Sequence, residues 1–240
     1  MNLKTLTPSG RYIFVGDTHG DLDASTKVIQ KYLDAHTRIC FLGDYVDRGP
    51  QSRENVEFLL KQRTEHPKNI FLIKGNHETY HLKKFFPADF WESLSEIEKE
   101  EYGKKFDPLP LAISVGGIIA VHGALPDITN LEEINSIKDG GDKWKALVWG
   151  DFVKYVKANG KEEWSGTRPQ FGKNYFDRVM SQIGKSVLIR GHDPTAPKKL
   201  FDNRCLTIFT SCAYDERKIA IADFDKGPVK TIEDLVIRTI

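Results

Sequence analysis

Arg38-Ile39-Cys40-Phe41-Leu42 leads directly into Gly43-Asp44-Tyr45-Val46-Asp47-Arg48-Gly49. The first five residues form a short, partly β-branched apolar run bounded by glycine, the pattern of a buried strand. The strand therefore ends in two carboxylates and a guanidinium, between glycines that let the backbone turn sharply. In an open α/β sheet the loops beyond the carboxyl ends of the strands are where sites are assembled. Asp and Gly are also ordinary turn residues, so the reading depends on whether other strands end the same way.

They do. Tyr12-Ile13-Phe14-Val15 ends in Gly16-Asp17-Thr18-His19-Gly20, and Ile70-Phe71-Leu72-Ile73 runs through Lys74 into Gly75-Asn76-His77-Glu78. Residues 118–121 end in His122-Gly123, and Ser186-Val187-Leu188-Ile189 ends in Arg190-Gly191-His192. Residues 21–32 and 53–63 read as helices between these strands, the first with an acidic first turn and later lysines. Strand and helix alternate, so the first half reads as a largely parallel sheet flanked by helices, an α/β architecture.

Elsewhere the pattern is plainer. Residues 1–10 read as a polar leader closed by Pro8-Ser9-Gly10, and the glutamate-rich stretch 89–105 as one solvated surface helix. Residues 111–115 and 118–121 read as a hairpin about Gly116-Gly117, residues 175–183 as a helix, and residues 200–240 as short strands. Residues 126–170 combine turn residues, a segment from 144 to 149 and a loop over 160–169, without a clear element. No repeat, low-complexity tract or linker interrupts motifs running from residue 16 to 192, so residues 1–240 read as one domain.

Composition narrows the function classes. Of 240 residues, 40% are hydrophobic and 29% charged, and no apolar run is long enough to span a bilayer. Residues 1–5 lack the long apolar region of a secretory signal, so a soluble cytoplasmic protein without a membrane partner is expected. Cys40, Cys205 and Cys212 form neither a disulfide framework nor a Cys-x-x-Cys pair. The 35 basic and 34 acidic residues are intermixed, so no electrostatic footprint for nucleic acid is present.

The five strand ends carry Asp17 and His19, Asp44 and Asp47, Asn76 and His77, His122, and His192. Residues two apart on a strand share a face, so Asp17 and His19 can reach one ion if the strand conformation persists through Thr18. A lone histidine is usually structural, but the recurrence of such residues at successive strand ends argues for a site. Asp, Asn and His without thiolates suit Mn, Fe or Zn, with Mn²⁺ placed first, better than a structural zinc cage. So many ligands exceed the needs of one catalytic ion. Two divalent ions roughly 3.5–4 Å apart, bridged by a carboxylate, would use them all and clamp the attacking and leaving oxygens of a phosphoryl displacement by a metal-bridging hydroxide. Arg48, on the same loop, offers the planar fork that grips phosphate.

This ordered set of motifs resembles the PPP-type serine/threonine protein phosphatases of the calcineurin-like metallophosphoesterases, over nearly the whole chain. The resemblance implies a four-layer fold, a central β-sandwich of two mixed sheets flanked by helices. It implies Asp17, His19 and Asp44 as ligands of a first metal, with Asp44 bridging to a second held by Asn76, His122 and His192. His77 would be the general acid, oriented by Asp47; Arg48, Asn76 and Arg168, the last in Gly166-Thr167-Arg168-Pro169, would bind the phosphate, with Tyr214 near the site. Lys74 stands where the eukaryotic enzymes carry arginine, Ala124 where they repeat glycine, and Pro-Asn is missing before Tyr214. The chain is similar to a compact prokaryotic or phage branch, with no regulatory subunit identifiable from its sequence.

The expected function is hydrolysis of phosphoserine and phosphothreonine in proteins, or of a small phosphorylated substrate. A dinucleoside polyphosphate hydrolase is the alternative, although relatives of that kind commonly carry Asp in place of Glu78. A non-catalytic scaffold would lack ligands, and a nuclease would carry a basic face. His77-Glu78-Thr79-Tyr80-His81 matches the zinc-protease pattern His-Glu-x-x-His, but His77 follows a strand and turn where that chemistry needs one helical face. His36 and His66 read as surface residues.

Overall fold

The computed structural model describes residues 1–154, 168–214 and 216–240. The chain runs β1 (Leu3–Leu6), β2 (Arg11–Val15), α1 (Leu22–Tyr32), β3 (Thr37–Phe41), α2 (Ser52–Glu65), β4 (Ile70–Leu72), α3 (Asp89–Glu92), α4 (Glu96–Phe106), β5 (Ala112–Val115) and β6 (Ile118–Val121). It continues through α5 (Asp142–Trp149), β7 (Asp151–Phe152), β8 (Gln170–Phe171), α6 (Lys173–Gln182), β9 (Val187–Arg190), β10 (Lys199–Leu200), β11 (Cys205–Thr207), β12 (Thr210–Ser211), β13 (Glu216–Asp223) and β14 (Val236–Thr239).

Two mixed sheets form the centre. One is ordered β12-β13-β2-β3-β4 with β14 also on β13, the other β1-β5-β6-β9-β11-β10. Alternation along each strand divides the core. Tyr12 and Phe14 of β2 face inward with Ile113, Val115, Ile118 and Ala120 between the sheets, whereas Ile13 and Val15 face outward onto Val28, Val56 and Leu59 of α1 and α2. On the far side Ile119, Val121 and Leu188 pack against Leu147 of α5 and Phe176, Val179 and Met180 of α6. The result is four layers, helix, sheet, sheet and helix, as the family resemblance implies.

Several expectations from pattern alone are corrected. The polar leader is an edge strand: β1 pairs in parallel with β5, and Leu3 is buried. The parallel trio β2-β3-β4 is real, but the eight-residue β13 lies antiparallel beside β2, so the sheet is mixed. The stretch 89–105 is two helices, because Ser95 caps α4 in a reciprocal capping box with Glu98 and breaks the run. The expected surface position also fails on burial, since Phe90, Trp91, Tyr102 and Phe106 are core residues. Within 126–170 the chain forms a 3₁₀ turn at Leu131–Ser136, then α5 and the short β7–β8 ladder; most of the loop expected over 160–169 lies outside the described residues. Among the described residues no helix is long and apolar enough to cross a membrane.

Candidate metal centre and phosphate site

Beyond β3 the chain turns through Asp44, Asp47 and Arg48 at φ of 55°, 67° and 69°, a left-handed region that side-chain-bearing residues seldom adopt. Bonds from neighbouring loops hold it there. The Glu78 carboxylate accepts the amides of Asp44 (2.7 Å) and Gly75 (2.9 Å) on Oε2 and that of Tyr45 (2.8 Å) on Oε1. The Asp44 carbonyl accepts the amides of Thr18 and His19, while Asn55 of α2 donates to Thr18 Oγ1 (3.0 Å) and the Tyr45 carbonyl (2.8 Å). The loops after β2, β3 and β4 are thus one hydrogen-bonded unit. Two glycines admit the carboxylates: a Cβ on Gly75 would lie 2.2 Å from Asp44 Oδ1, and one on Gly191 would lie 1.9 Å from Asp17 Oδ1.

Asp44 occupies the middle of the cluster. Its Oδ2 lies 3.2 Å from His122 Nε2, 3.6 Å from His19 Nε2 and 3.8 Å from His77 Nε2. Asp17 Oδ2 is 3.8 Å from His19 Nε2, and the Asp17 carboxylate accepts the His192 amide. Asn76 Oδ1 lies 3.0 Å from His122 Nε2 and 2.9 Å from His192 Nδ1. Two converging groups result, His19–Asp44–His77 and Asp44–His122–His192, with Asp44 common to both. Asp17, His19, Asp44, Asn76, His122 and His192 therefore come together, as does His77.

The histidine tautomers follow from their outer partners. Nδ1 of His19 faces the Val46 carbonyl at 2.7 Å and Nδ1 of His122 faces the Leu42 carbonyl at 2.9 Å; a carbonyl only accepts, so each Nδ1 carries the proton. His19 Nε2 then turns a lone pair into the cluster, and His122 Nε2 does so once its second proton is lost, the arrangement usual for metal-bound histidine.

Burial and charge test whether cations fit. His19 Nε2 is buried and has no hydrogen-bond partner among the described residues, an otherwise costly condition. Burial pushes Asp17 up to about 7, chiefly by desolvation. Burial alone would lower His122, but the Asp44 and Asp17 carboxylates raise it to about 9, while His122 and His77 hold Asp44 well below the carboxylate range despite its burial. Among the cluster's ligands only His122 is held as a cation, and divalent ions that displace its Nε2 proton would supply the buried acids with more positive charge. The donor set fits such ions.

Beside the cluster, His77 Nδ1 lies 2.5 Å from Asp47 Oδ2, and Asp47 Oδ1 accepts the Phe90 amide of α3 at 2.8 Å. Burial lowers His77 to about 4 and raises Asp47 to about 8, so the pair favours its uncharged forms, a neutral imidazole beside a protonated carboxyl. Arg48 Nη2 approaches His77 Nε2 at 3.4 Å, and Arg48 Nη1 donates to the Tyr214 hydroxyl. The Tyr214 ring meets His19 edge-on at 5.5 Å. Arg168 lies at the other end, its guanidinium 6.0 Å from the Trp149 ring, which meets His192 at 6.0 Å. Its neighbours Gly166 and Thr167 lie outside the described residues.

The His-Glu-x-x-His pattern does not assemble: His77 opens a 3₁₀ turn and His81 bonds Asp107. Sequence reading missed Glu78 as a tie between loops, Asn55, the aromatic wedge Phe85 packed 4.6 Å from His77, and the buried pair Arg190–Asp151. The Arg-Gly-His motif contained the signal for Arg190, whereas Asn55 sits inside a helix with no motif to mark it.

Comparison with known proteins places the architecture. Residues 10–196 match the model of the calcineurin-like phosphoesterase family. The chain is 32% identical over 226 residues to the serine/threonine-protein phosphatase 4 catalytic subunit of Candida glabrata, covering 83% of this chain and 68% of that protein. It is 27% identical over 233 residues to a protein of Encephalitozoon cuniculi named as a probable serine/threonine-protein phosphatase, covering 90% of this chain and half of that longer protein. Among solved structures, a Saccharomyces cerevisiae protein serine/threonine phosphatase described as similar to human phosphatase PP5 superposes with TM-score 0.79 at 22% identity, over 99% of this chain and 82% of that one. A candidate diadenosine tetraphosphatase superposes with TM-score 0.60 at 19% identity, over 99% and 97%.

Proposed function

The chain belongs to the calcineurin-like phosphoesterase family, and from that premise we propose that it hydrolyses phosphoserine and phosphothreonine in proteins, with residues 1–240 as one catalytic unit in the cytoplasm. The observation that carries the reading is the shared Asp44 at the junction of two ligand groups, flanked by the His77–Asp47 pair and Arg48. Asp17, His19 and Asp44 would hold one divalent ion, and Asp44, Asn76, His122 and His192 the other, with Mn²⁺ the first candidate and Fe or Zn suited to the same donors. Bound there, the ions would supply Lewis acidity to the phosphoryl group and lower the pKa of coordinated water.

The residues of the chain would do the rest. Arg48 and Arg168 would bind the non-bridging phosphate oxygens through their planar forks, with Asn76 adding a side-chain donor if its amide nitrogen turns toward the substrate. Tyr214 orients Arg48 through its hydroxyl. His77 would pass the proton on Nε2 to the leaving oxygen while Nδ1 takes up the Asp47 proton, so the ring ends neutral and Asp47 is left as the carboxylate that fixes it. Phe85 against His77 and Trp149 would keep water from that proton.

Hydrolysis of a dinucleoside polyphosphate is the second reading, favoured by the structural likeness to the candidate diadenosine tetraphosphatase. The phosphoprotein reading draws its support from the 30–32% identity to phosphatase 4 catalytic subunits of Eremothecium gossypii, Candida glabrata and Saccharomyces cerevisiae. Phosphate release from a phosphoserine/phosphothreonine peptide set, measured beside diadenosine tetraphosphate with added Mn²⁺ and with chelator, tests the choice. Preference for the peptides, abolished by chelation, is expected. Preference for the dinucleotide would overturn the substrate while leaving the ligand assignments in place.

A further inference from the structure

Arg168 and His192 come from different parts of the chain, and one buried carboxylate lies between them. Asp151, at the start of β7, has Oδ1 3.8 Å from His192 Nε2 and 3.2 Å from Arg190 Nη2, and Oδ2 3.8 Å from Arg168 Nη1. Its side chain is 5% exposed, whereas that of Arg168 is 33% exposed. The backbone reinforces the arrangement, since the Asp151 amide donates to the Pro169 carbonyl at 2.8 Å and β7 pairs with β8, which begins two residues after Arg168. Arg190, fully buried, donates through Nε to the Gly191 carbonyl at 3.1 Å and neutralises part of the charge on Asp151.

An exposed ion pair would do little to hold a long side chain, because water and salt screen it. Here one partner is buried and fixed by a second guanidinium, so its field on Arg168 is screened less. Arg168 is also confined on its other side by the Trp149 ring at 6.0 Å. An arginine otherwise free to sample many rotamers is thus held with its fork beside the His192 end of the cluster.

We propose that Asp151 is a positioning residue that presets Arg168 for phosphate, acting through the guanidinium rather than on the metal ligands or the substrate itself. The proposal rests on Arg168 being a phosphate ligand. Inorganic phosphate serves as the probe, its dissociation constant read by calorimetry on the Mn²⁺-loaded protein, with metal content measured on the same samples. Asp151→Asn is expected to weaken phosphate binding about tenfold while metal content is unchanged, and to cause no further loss in an Arg168→Ala background, because residues acting through one contact are not additive.

Equal losses in both backgrounds, or metal content falling with phosphate affinity, would overturn it by showing that Asp151 acts elsewhere. If Arg168→Ala alone leaves phosphate binding unchanged, the assignment of Arg168 fails first, a result distinct from the others. Because Asp151→Asn leaves Arg190 buried without a full countercharge, Asp151→Asn/Arg190→Met serves as the fold-tolerant variant. It is expected to show the same tenfold loss, and wild-type phosphate affinity in a folded double variant would equally overturn the proposal.

Discussion

Replacing Glu78 by Gln tests the idea that one buried carboxylate assembles the site. Three amide donors converge on its two oxygens, at 2.7 and 2.9 Å on Oε2 and 2.8 Å on Oε1. A glutamine offers one acceptor oxygen, so its least harmful placement keeps Asp44 and Gly75 on the oxygen and turns its own N–H₂ toward the Tyr45 amide. The lost bond costs about 2 kcal/mol, the unpaired buried N–H about 2 kcal/mol more, and the remaining two bonds lose about 1 kcal/mol each of charge assistance. Against this, burial, then the Asp44 charge, pushes Glu78 up to about 8, a penalty of about 3 kcal/mol that a neutral glutamine escapes; in the metal-loaded protein the ions on Asp44 would offset its charge and keep Glu78 a carboxylate. The net loss is about 3 kcal/mol, or about 6–12 °C of melting temperature for a chain of this length. The assay is a calorimetric melt of the metal-loaded protein with elemental analysis, and metal content should fall too because Asp44 and Asn76 sit on the loops Glu78 ties. A melting temperature within about 1 °C of the parent would mean that Glu78 is already neutral and that three N–H donors do not require a carboxylate there.

His77→Asn should lower turnover on an alkyl phosphate about 10²–10⁴-fold with metal content retained, and far less on an aryl phosphate whose leaving group needs no proton; equal losses on both would remove His77 as the acid. Asp44→Asn should deplete both ions together, since Asp44 belongs to both groups, and elemental analysis showing one ion retained would break the bridging role. Metal affinity should rise with pH. Asp17, raised to about 7, and His122, raised to about 9, carry protons below those values and must release them to act as ligands. The apparent dissociation constant for Mn²⁺ should therefore fall about a hundredfold or more from pH 6 to pH 8, and a flat profile by calorimetry would contradict it.

How far the fold could be read from sequence depends on whether a feature is local. The strand ends announced themselves because each apolar run gives way to a polar residue beside a glycine, as at Phe41-Leu42-Gly43-Asp44 and Val121-His122-Gly123. The edge strand β1 stayed hidden because its partner β5 lies over a hundred residues away and three of its four residues are not buried. The break between α3 and α4 was legible in Ser95-Glu96-Ile97-Glu98, a capping box inside a charge-rich run read as continuous. At the site, residue types marked the candidate ligands, but the roles of Glu78, Asn55 and Asp151 lie in what they touch across loops, which spacing along a chain does not encode.

The distribution of backbone strain links these observations. Of eight non-glycine residues at positive φ among the described residues, five are His19, Asp44, Asp47, Arg48 and His192, all at the candidate site. Each such conformation costs on the order of 1 kcal/mol and persists only where surrounding bonds dictate it. The dictating bonds come from groups that touch no substrate: Glu78 on the Asp44 loop, Asn55 across the loops after β2 and β3, and the Asp17 carboxylate on the His192 amide. Those bonds close buried acids and lone pairs into a small volume, which costs free energy until positive charge enters. The sandwich core between the sheets does not share that cost, because Tyr12, Phe14, Ile113 and Ile189 pack away from the cluster. Removing the ions should therefore loosen the loops before the sheets, with hydrogen exchange rising at Asp44 and His192 while β2 and β9 stay protected.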